Sequence, residues 1–507
     1  MRETTKRFSL TRATLSALRC AQKAESLSVI QGSQRVRTIQ VLLIGFCVIA
    51  FIGRPSSGAE SPIKPVLVFM QPADALEPVG VLAFEANPLQ FHGPIMPVGS
   101  NLPPKQTAGK GQGSHEHAGI DFRALLAVPQ PDGGCLVFGS RSEPSPEQPK
   151  NCLWRLYRAR TPDGYRFTEL NEVYRNPKGP WLIEASMLQQ ATTGRLFFYP
   201  WSRFDPPEKG HALWGFVSDD GEQWRPLSDQ PVYLDHDAFG MMWDARANRF
   251  LTGQVTHQPW KKPYADNMGS AKRRVLQMRT SRDGLRWETA GPAGNGALLT
   301  PDDRDSPDVE FYRMQPFAYG NRYVAMVDLY AASPLIPDKH GPHLACEWWV
   351  SADGINWQRP WRKVAAQGDA PYPIKMTPMW FGREMLFWLP GQVWGLPEYR
   401  IAAVGSQSNA EFSSAAFAMP GTTLLLNASV PSGHGLFNQA YVQVELRNER
   451  DNVIPGYERD KCLLQGIDDS RIPLRWGDKM GKEFAGKKVS LRFHLRSARI
   501  YALATER

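Results

Sequence analysis

The chain has 507 residues, enough for two or three domains, and its 43 Gly, 42 Pro and 16 Trp favour an all-β fold with many turns over long helices. Its formal charge of +9 is concentrated at the start, because residues 1–59 contain nine Lys or Arg and two Glu and the remainder carries only +2. This distribution argues against a basic groove, so we expect no nucleic acid among the partners.

The N-terminal segment has the features of a secretory signal. Two arginines precede a 13-residue apolar run at 41–53, and small residues follow it, which predicts cleavage after Ala59. The run is shorter than the roughly 20 residues that span a bilayer. We therefore expect residues 1–59 to be a signal peptide and the body to be secreted or periplasmic, with no stable membrane span after processing. The alternative is an uncleaved segment that anchors the protein to the membrane.

Four cysteines follow the signal, and they form no CxxC pair and have no close histidine partner, so no zinc site is predicted. One disulfide would be compatible with an oxidising compartment, but buried thiols are the preferred interpretation. These cysteines are Cys135, Cys152, Cys346 and Cys462.

Apolar hairpins form the first of two interleaved series. Residues 87–116 are rich in Pro, Gly and polar residues and predict a loop that leads to them. Five hairpins follow, at turn spacings of 54 to 73 residues. Their turns are expected near Gly133, Gly194, Asn248, Asn321 and Gly382.

The second series is a repeated phrase, SDDGEQW at 218, SRDGLRW at 281 and SADGINW at 351, with a degenerate copy that begins at Thr161. Asp-Gly between strand-like segments predicts a hairpin, and we expect a type I′ turn with positive φ at both central residues. The Ser or Thr hydroxyl and the Asp carboxylate would bind the backbone amides of the turn, and the aromatic ring three residues past Gly would pack between sheets. The phrase is interpreted as turn chemistry, not catalysis.

Five inner hairpins that alternate with four outer ones predict a five-bladed β-propeller over residues 60–404, since four strands per unit at a period of about 40 to 70 residues are typical of propellers. The segment 65–91 is expected to supply a closing strand, and PEYRIAAVG after Trp394 another. Over 405–507 the repeated phrase is absent and the strands alternate in polarity, which predicts a C-terminal β-sandwich. The protein is expected to be a monomer.

Acidic residues lie 10 to 12 positions before four of the inner turns, at Asp121, Glu184, Asp237 and Glu310. Inner propeller strands line a central funnel, so these acids are expected to converge. Carboxylates that face one funnel repel one another, and an acid with a base at a fixed distance is what glycoside cleavage requires. The alternative is that these acids cap strands, pair with arginines or bind a structural cation.

Other residues are expected at the same rim. Arg273 and Tyr312 lie there by this topology, and Lys375 precedes the fifth turn. Core packing is the preferred role of the tyrosines. Oxygens near Asp235, Asp237 and Asp308 would suit a structural calcium ion, and no other cofactor is expected. The predicted substrate-binding residues are Asp235, His236, Arg274, Asp308, Glu310 and Tyr330.

The order of inner hairpins and S-x-D-G-x-x-W outer hairpins, followed by a sandwich, resembles the five-bladed propeller glycoside hydrolases of the furanosidase type, families 32, 43 and 68. Stretches such as AKRRVLQMRTSRDGLRW and LACEWWVSADGINW resemble an uncharacterised secreted bacterial branch of that group. The resemblance covers about residues 115–400, and 405–507 more loosely. It implies a nucleophile or base, a transition-state stabiliser and a general acid on the first three blades, which fall on Asp121, Glu184 and Asp237, with Asp235 as substitute for the last.

Two functions follow as alternatives. The first is a glycoside hydrolase that acts on oligo- or polysaccharide, with Glu184 or Asp237 as acid and Asp121 as base or nucleophile. The second is a diverged propeller that binds glycans without cleaving them. Carbohydrate is the expected ligand of both. A sialidase ranks lower, because in the sialidase repeat Gly comes two residues after Asp, whereas here the two are adjacent.

Overall fold

Strands dominate the structure, a computed structural model. Within the described residues, all helical segments are 3₁₀ turns: Pro72–Asp74, Arg459–Lys461 and Lys482–Phe484. The predicted all-β class is confirmed. No helix in this part of the chain has the length and apolar character needed to cross a membrane. The structure describes residues 63–97, 123–144, 152–175, 181–203, 211–232, 237, 239–263, 265, 269–291, 297–331, 345–362, 364–370, 376–389, 391–432 and 439–506.

The first two sheets are each built from strands close together in the chain. Sheet 1 contains β5 (Met96–Pro97), β6 (Arg123–Pro129), β7 (Cys135–Pro144), β8 (Cys152–Thr161) and β9 (Arg166–Arg175). Its order is β5-β9-β8-β7-β6, with β5 parallel to β9 and the other pairs antiparallel. Sheet 2 is antiparallel and contains β10 (Trp181–Gln189), β11 (Leu196–Arg203), β12 (His211–Leu213), β13 (Phe216–Ser218) and β14 (Arg225–Pro226).

A nine-stranded sheet follows, and its two halves are joined at the residue pair Gly253–Met314. We call the halves sheets 3 and 4. Sheet 3 contains β15 (Phe239–Asp244), β16 (Arg249–Pro259), β17 (Lys272–Ser281), β18 (Trp287–Thr289) and β19 (Leu298–Leu299). Sheet 4 contains β20 (Val309–Tyr319), β21 (Arg322–Ala331), β22 (Ala345–Ser351) and β23 (Trp357–Gln358).

Sheet 5 combines strands from distant parts of the chain. It contains β4 (Gln90–Pro94), β24 (Met379–Phe381), β25 (Glu384–Leu389) and β26 (Gln392–Pro397), in the order β24-β25-β26-β4. The outer strand β4 is separated from β5 of sheet 1 by Ile95 alone. The chain therefore passes directly from the edge of sheet 5 to the edge of sheet 1.

The remaining strands form two sheets that share one hydrophobic cluster, in which Phe412 and Phe493 stack with ring centroids 4.9 Å apart. Sheet 6 contains β1 (Lys64–Val68), β3 (Ala83–Ala86), β27 (Ala402–Ser406), β30 (Leu424–Val430), β33 (Ile467–Pro473) and β35 (Ala498–Thr505). Sheet 7 contains β2 (Leu76–Val79), β28 (Ala410–Ser413), β29 (Phe417–Ala418), β31 (Tyr441–Arg447), β32 (Leu463–Leu464) and β34 (Lys488–Arg496).

The N-terminal strands pair differently from the sequence expectation. Strands β1, β2 and β3 are hydrogen-bonded to C-terminal strands, and within the expected closing segment 65–91 only the start of β4 belongs to sheet 5. The AAVGS part of β27, expected as a second closing strand, lies in sheet 6. The domain boundaries at 59/60 and 404/405 stay predictions.

The predicted inner and outer hairpins are confirmed, but the expected type I′ turn is wrong. Each motif glycine has positive φ, for example 76° at Gly221, whereas the preceding Asp220 does not. Asp220 Oδ1 instead accepts hydrogen bonds from the next two backbone amides past the glycine, both at 2.8 Å, and Ser218 Oγ accepts from the Gly221 amide. The side chain thus fixes the turn while the aspartate backbone stays outside the left-handed region. The same bonds recur at Asp163, Asp283 and Asp353.

These turns join consecutive sheets. The Gly221 turn of sheet 2 lies against Phe138 of sheet 1, and Tyr199 of sheet 2 donates its hydroxyl to the Gly284 carbonyl of sheet 3 at 2.9 Å. The Gly354 turn of sheet 4 lies against Leu251 of sheet 3. In sheet 1, the Gly164 carbonyl accepts from Trp388 Nε1 of sheet 5 at 2.7 Å. Each repeated turn therefore rests on a neighbouring sheet.

Hydrophobic clusters fill the spaces between these sheets, because each sheet buries both faces. One cluster lies between sheets 1 and 2, another between sheets 2 and 3, and a third between sheets 3 and 4. A fourth includes residues of sheets 4, 5 and 1, with Phe317 and Phe387 rings 6.3 Å apart across sheets 4 and 5. Burial of each such ring contributes about 1.5–3 kcal/mol.

Candidate functional site

The innermost strands of sheets 2, 3 and 4 lie side by side. Ser186 on β10 accepts a hydrogen bond from the Met241 amide on β15 at 3.1 Å, and Gln315 on β20 donates to the Met241 carbonyl at 3.2 Å. A β-carbon on Gly240 would approach the Met314 carbonyl oxygen to 2.3 Å. The close approach of β15 and β20 therefore requires glycine there, and residues near the starts of these strands are brought together.

Glu184 on β10 joins three sheets. Its side chain is almost buried and its Oε2 accepts a hydrogen bond from Arg123 Nη2 of sheet 1 at 2.7 Å. Arg313 Nη1 of sheet 4 lies 3.9 Å from the same oxygen. Two guanidinium groups beside one carboxylate favour its ionised form. Glu184 is thus held as an anion by arginines of sheets 1 and 4.

A further buried pair supports Arg313. Asp328 Oδ2 on β21 lies 3.5 Å from Arg313 Nε, and Asp328 Oδ1 accepts from the Cys346 thiol at 3.3 Å. Burial lowers the pKa of the Arg313 guanidinium below its ordinary value, and the charges of Asp328 and Glu184 oppose that shift. Since a buried guanidinium needs anionic partners, the two carboxylates fix its position.

Asp237, just before β15, is half-buried. Burial raises the pKa of the Tyr312 phenol above its ordinary value, and the negative charges of Asp237 and Glu184 raise it further, while Arg274 opposes them. Tyr312 therefore lies within electrostatic reach of both predicted catalytic carboxylates. Asp237 is less buried than Glu184.

Glu310, at the start of β20, is completely buried between two cations. Its Oε1 lies 2.7 Å from Lys262 Nζ and its Oε2 lies 2.6 Å from Arg274 Nη1. The Arg274 guanidinium carbon also lies 5.3 Å from the centroid of Tyr330 and 5.7 Å from that of Tyr312. Because both carboxylate oxygens are bound by protein cations, Glu310 is suited to fixing Arg274 beside the tyrosines.

The remaining predicted site residues are placed as follows. Asp308 is half-buried and accepts a hydrogen bond from the Ser306 hydroxyl. Tyr330 is 4% exposed, so it lies mostly within the core. Asp121, Asp235, His236 and Lys375 lie outside the described residues.

Metal and thiol chemistry can be described for part of the chain. Among the described residues, no group of three or more His, Cys, Asp or Glu side chains is placed to hold a metal ion. The calcium expectation includes Asp235, which is not among them. Cys135 and Cys462 are buried thiols outside any disulfide, and burial raises the pKa of each to about 12. The buried Cys346 thiol donates to Asp328.

Sequence reasoning missed the cations of the site, Arg123, Arg313 and Lys262, and the buried Asp328. A signal for two of them is present. Arg313 and Asp328 are single charges within the apolar strands VEFYRMQPFAY and RYVAMVDLYA. A charge in such a strand is rarely buried without a partner, so the two residues could have been proposed as a pair.

No family model matches this sequence, and no curated protein matches it. Among solved structures, a GH32 beta-fructofuranosidase of Bombyx mori is similar with a TM-score of 0.36 at 8% identity, over 76% of this chain and 91% of that chain. A protein of unknown function from Dyadobacter fermentans has a TM-score of 0.34 at 14% identity, over 59% and 92%. A thermostable family-43 glycoside hydrolase has a TM-score of 0.34 at 11% identity, over 54% and 86%. Likenesses this low carry no functional conclusion, which depends on the site itself.

Proposed function

We propose that the protein is a glycoside hydrolase whose site lies at the axis of a five-bladed β-propeller followed by a β-sandwich. Sheets 1 to 5 are the proposed blades, and sheets 6 and 7 the proposed sandwich. Contacts between consecutive sheets support the ring, together with the Trp388–Gly164 hydrogen bond that joins sheet 5 to sheet 1. The shared hydrophobic cluster supports the sandwich. A ring of sheets directs the starts of its inner strands to one region.

The Arg123–Glu184–Arg313 bridge carries this proposal. It joins strands of sheets 1, 2 and 4 around one carboxylate, with distances of 2.7 and 3.9 Å to Glu184 Oε2. A fixed anion stabilises the positive charge that develops on the sugar ring during glycoside cleavage. Electrostatic stabilisation of this kind requires groups that are in place before the reaction, and a buried ion pair holds them so.

The bridge also divides the roles of the acids. A carboxylate between two guanidinium groups is a poor proton donor, so Glu184 is assigned to transition-state stabilisation. Asp237 is assigned as the general acid that protonates the leaving oxygen. Asp121, two residues before Arg123, is assigned as base or nucleophile, in agreement with the order that the sequence resemblance implies. Under this proposal the acid is Asp237 and not Glu184.

The test is a screen of purified protein against a polysaccharide panel, by release of reducing ends and by affinity electrophoresis. We expect the wild type to cleave one substrate, and Asp121→Asn, Glu184→Gln and Asp237→Asn to lose about 10²–10⁴-fold in rate while still binding it. Glu172→Gln is the matched control, because Glu172 also accepts hydrogen bonds from two arginines but lies on β9. Cleavage unaffected by all three site variants would contradict the proposal.

Glycan binding without cleavage is the second candidate function. Its support is that Glu184 is nearly buried, Glu310 is fully buried, and both are paired with cations. Structural carboxylates are held in the same way. The same screen separates the two functions, since polysaccharide in the gel slows the migration of a binding protein, but that protein releases no reducing ends.

The site of action is part of the proposal. The apolar run at 41–53 with its basic flank supports export, so carbohydrate outside the cytoplasm is the proposed ligand and secretion or the periplasm the proposed location. Membrane anchoring by residues 1–59 is the alternative. Mass spectrometry of the mature N-terminus after expression in a Gram-negative host tests this, and a mature chain that begins at residue 60 is expected.

A further inference from the structure

Trp260, just after β16, is a large aromatic side chain at the surface. It is 39% exposed, although its indole is tightly held. Its Nε1 donates to the Pro307 carbonyl at 3.1 Å, and its backbone amide donates to the Ala271 carbonyl at 2.9 Å. A rigid exposed indole presents a flat apolar surface and loses little conformational entropy when a ligand binds.

A buried arginine supports one face of this ring. The Arg273 guanidinium carbon lies 3.9 Å from the Trp260 ring centroid, and Arg273 is only 6% exposed. Its Nη2 lies 3.3 Å from Gln258 Oε1 and 3.3 Å from the Pro301 carbonyl oxygen. Because the guanidinium covers one face, the exposed area of Trp260 belongs to the other face and the ring edge.

Trp260 and Arg273 lie at the same end of the sheets as the candidate site. Strand β15 begins at Phe239, two residues after Asp237, and Phe239 pairs with Gln254 of the antiparallel strand β16. From Gln254, β16 continues past this end of β15 to Pro259, and Trp260 follows. Arg273 precedes Arg274, which binds Glu310 and lies beside Tyr312. Trp260 and Asp237 therefore both lie at the end of sheet 3 where β15 begins and β16 ends.

An acidic residue follows the residue that Trp260 binds. The carbonyl that Trp260 binds belongs to Pro307, and the next residue is the half-buried Asp308, whose Oδ1 accepts a hydrogen bond from the Ser306 hydroxyl. A sugar ring has an apolar face of C–H groups and hydroxyls at its edge, so a flat apolar surface and a carboxylate on adjoining residues suit it. The two elements together would bind both parts of such a ring.

We propose that Trp260 and Asp308 form a subsite for a sugar unit away from the cleaved bond, so that the protein prefers chains of several units over monosaccharides. This inference rests on the proposed function and extends it to substrate length. The ring stacks on the open face of Trp260, and one hydroxyl donates a hydrogen bond to Asp308.

Calorimetric titration tests the subsite with hexasaccharides of xylose, arabinose, mannose and fructose and with the four monosaccharides, in protein that carries Asp237→Asn so that ligand is not consumed. We expect the preferred hexasaccharide to bind about tenfold more weakly to Trp260→Ala, and its monosaccharide less than about twofold differently. Trp260→Gln, which keeps a donor for Pro307 but removes the ring, should behave like Trp260→Ala. Phe91→Ala is the control, since Phe91 is 56% exposed but lies on β4 of sheet 5.

Two results would overturn the subsite, and they are distinct. If the Asp237→Asn protein binds a hexasaccharide and both Trp260 variants bind it equally well, the subsite is wrong while the proposed function survives. If neither this protein nor the wild type binds or cleaves any of these sugars or any member of the polysaccharide panel, the proposed function fails and the subsite with it.

Discussion

Arg123 on β6 donates through Nη2 to Glu184 Oε2 on β10 at 2.7 Å, a contact between side chains 61 residues apart in two different sheets. Arg313 of a third sheet lies 3.9 Å from the same oxygen. The carboxylate therefore depends on two distant cations for its position. Loss of either partner would leave the others partly uncompensated in a buried setting.

Replacement of Arg123 by Met is expected to lower the rate through the position of Glu184. A displacement of about 1 Å in a catalytic group can cost roughly 10²-fold, so kcat/KM should fall about 10- to 100-fold while the fold remains. Steady-state kinetics with circular dichroism measure both. The control is Arg175→Met, because Arg175 donates to Glu172 on the same strand, β9, where its side chain is more than half exposed. Equal losses in the two variants would contradict the role of Arg123.

Glu310→Gln tests the buried triad that Glu310 forms with Lys262 and Arg274. The substitution leaves Lys262 and Arg274 without their shared anion, and removal of one partner of a buried ion pair costs about 3–5 kcal/mol of unfolding free energy. Urea denaturation measures the change. Asp219→Asn breaks the exposed pair with Arg195 and should cost at most about 1 kcal/mol. A loss at position 310 as small as that at 219 would show that the triad is not structurally important.

Gly284→Ala tests the contact between sheets 2 and 3. Gly284 has φ of 75° and a β-carbon there would lie 2.5 Å from Tyr199 Oη. Gly194 has φ of 74° with no atom within 4 Å of such a β-carbon, so Gly194→Ala measures the backbone cost alone, about 1–2 kcal/mol. We expect Gly284→Ala to destabilise the protein clearly more than Gly194→Ala in urea. Equal effects would mean that the turn at Gly284 does not pack closely against Tyr199.

The turn aspartates predict a loss of stability in acid. Burial would raise the pKa of Asp283, but hydrogen bonds from the Arg286 backbone and side chain, the Leu285 amide and the Ser281 hydroxyl outweigh it and hold the pKa at about 2. Because the ordinary value is 3.8, the stability that Asp283 contributes is present above about pH 4 and is lost as the pH falls toward 2.

Asp283→Asn should therefore show a smaller fall in unfolding free energy between pH 4 and pH 2 than the wild type, measured by urea denaturation at each pH. Asp229→Asn, at an exposed loop position, gives the effect of removing one surface charge. If Asp283→Asn keeps the full pH dependence of the wild type, the hydrogen bonds of the turn do not lower the pKa of Asp283 in the folded state.

Local features of the fold could be predicted from the sequence, and long-range pairings could not. The S-x-D-G-x-x-W turns follow from neighbouring residues, although the type I′ expectation failed because the Asp220 side chain, not its backbone, satisfies the turn amides. Pairing of Ala83 with Gly405, or of Lys64 with Thr505, has no local signal, since any exposed sheet edge could accept those strands. Strands β1, β2 and β3 were therefore assigned to the wrong sheet, whereas β4, which begins at Gln90, does belong to sheet 5.

In the candidate site, too, local features could be predicted from the sequence and long-range contacts could not. Glu184, Asp237 and Glu310 could be selected by their common spacing before the inner turns. The partners of Glu184 and Glu310 could not, because Arg313 and Lys262 contact these two acids only after sheets from different repeats come together. Glu310 shares the spacing of Glu184 and was predicted to bind substrate, whereas the structure places both of its carboxylate oxygens beside protein cations.

The most direct test of the account is the leaving-group dependence of Asp237→Asn on aryl glycosides of the sugar identified by the screen. A dinitrophenolate leaves without protonation, whereas a methoxyphenolate needs an acid. We predict that Asp237→Asn loses at least about 100-fold more kcat/KM on the methoxyphenyl than on the dinitrophenyl glycoside, and that Glu184→Gln loses similar factors on both. Equal losses of Asp237→Asn on the two substrates, or no loss on either, would contradict the assignment of Asp237 as the acid.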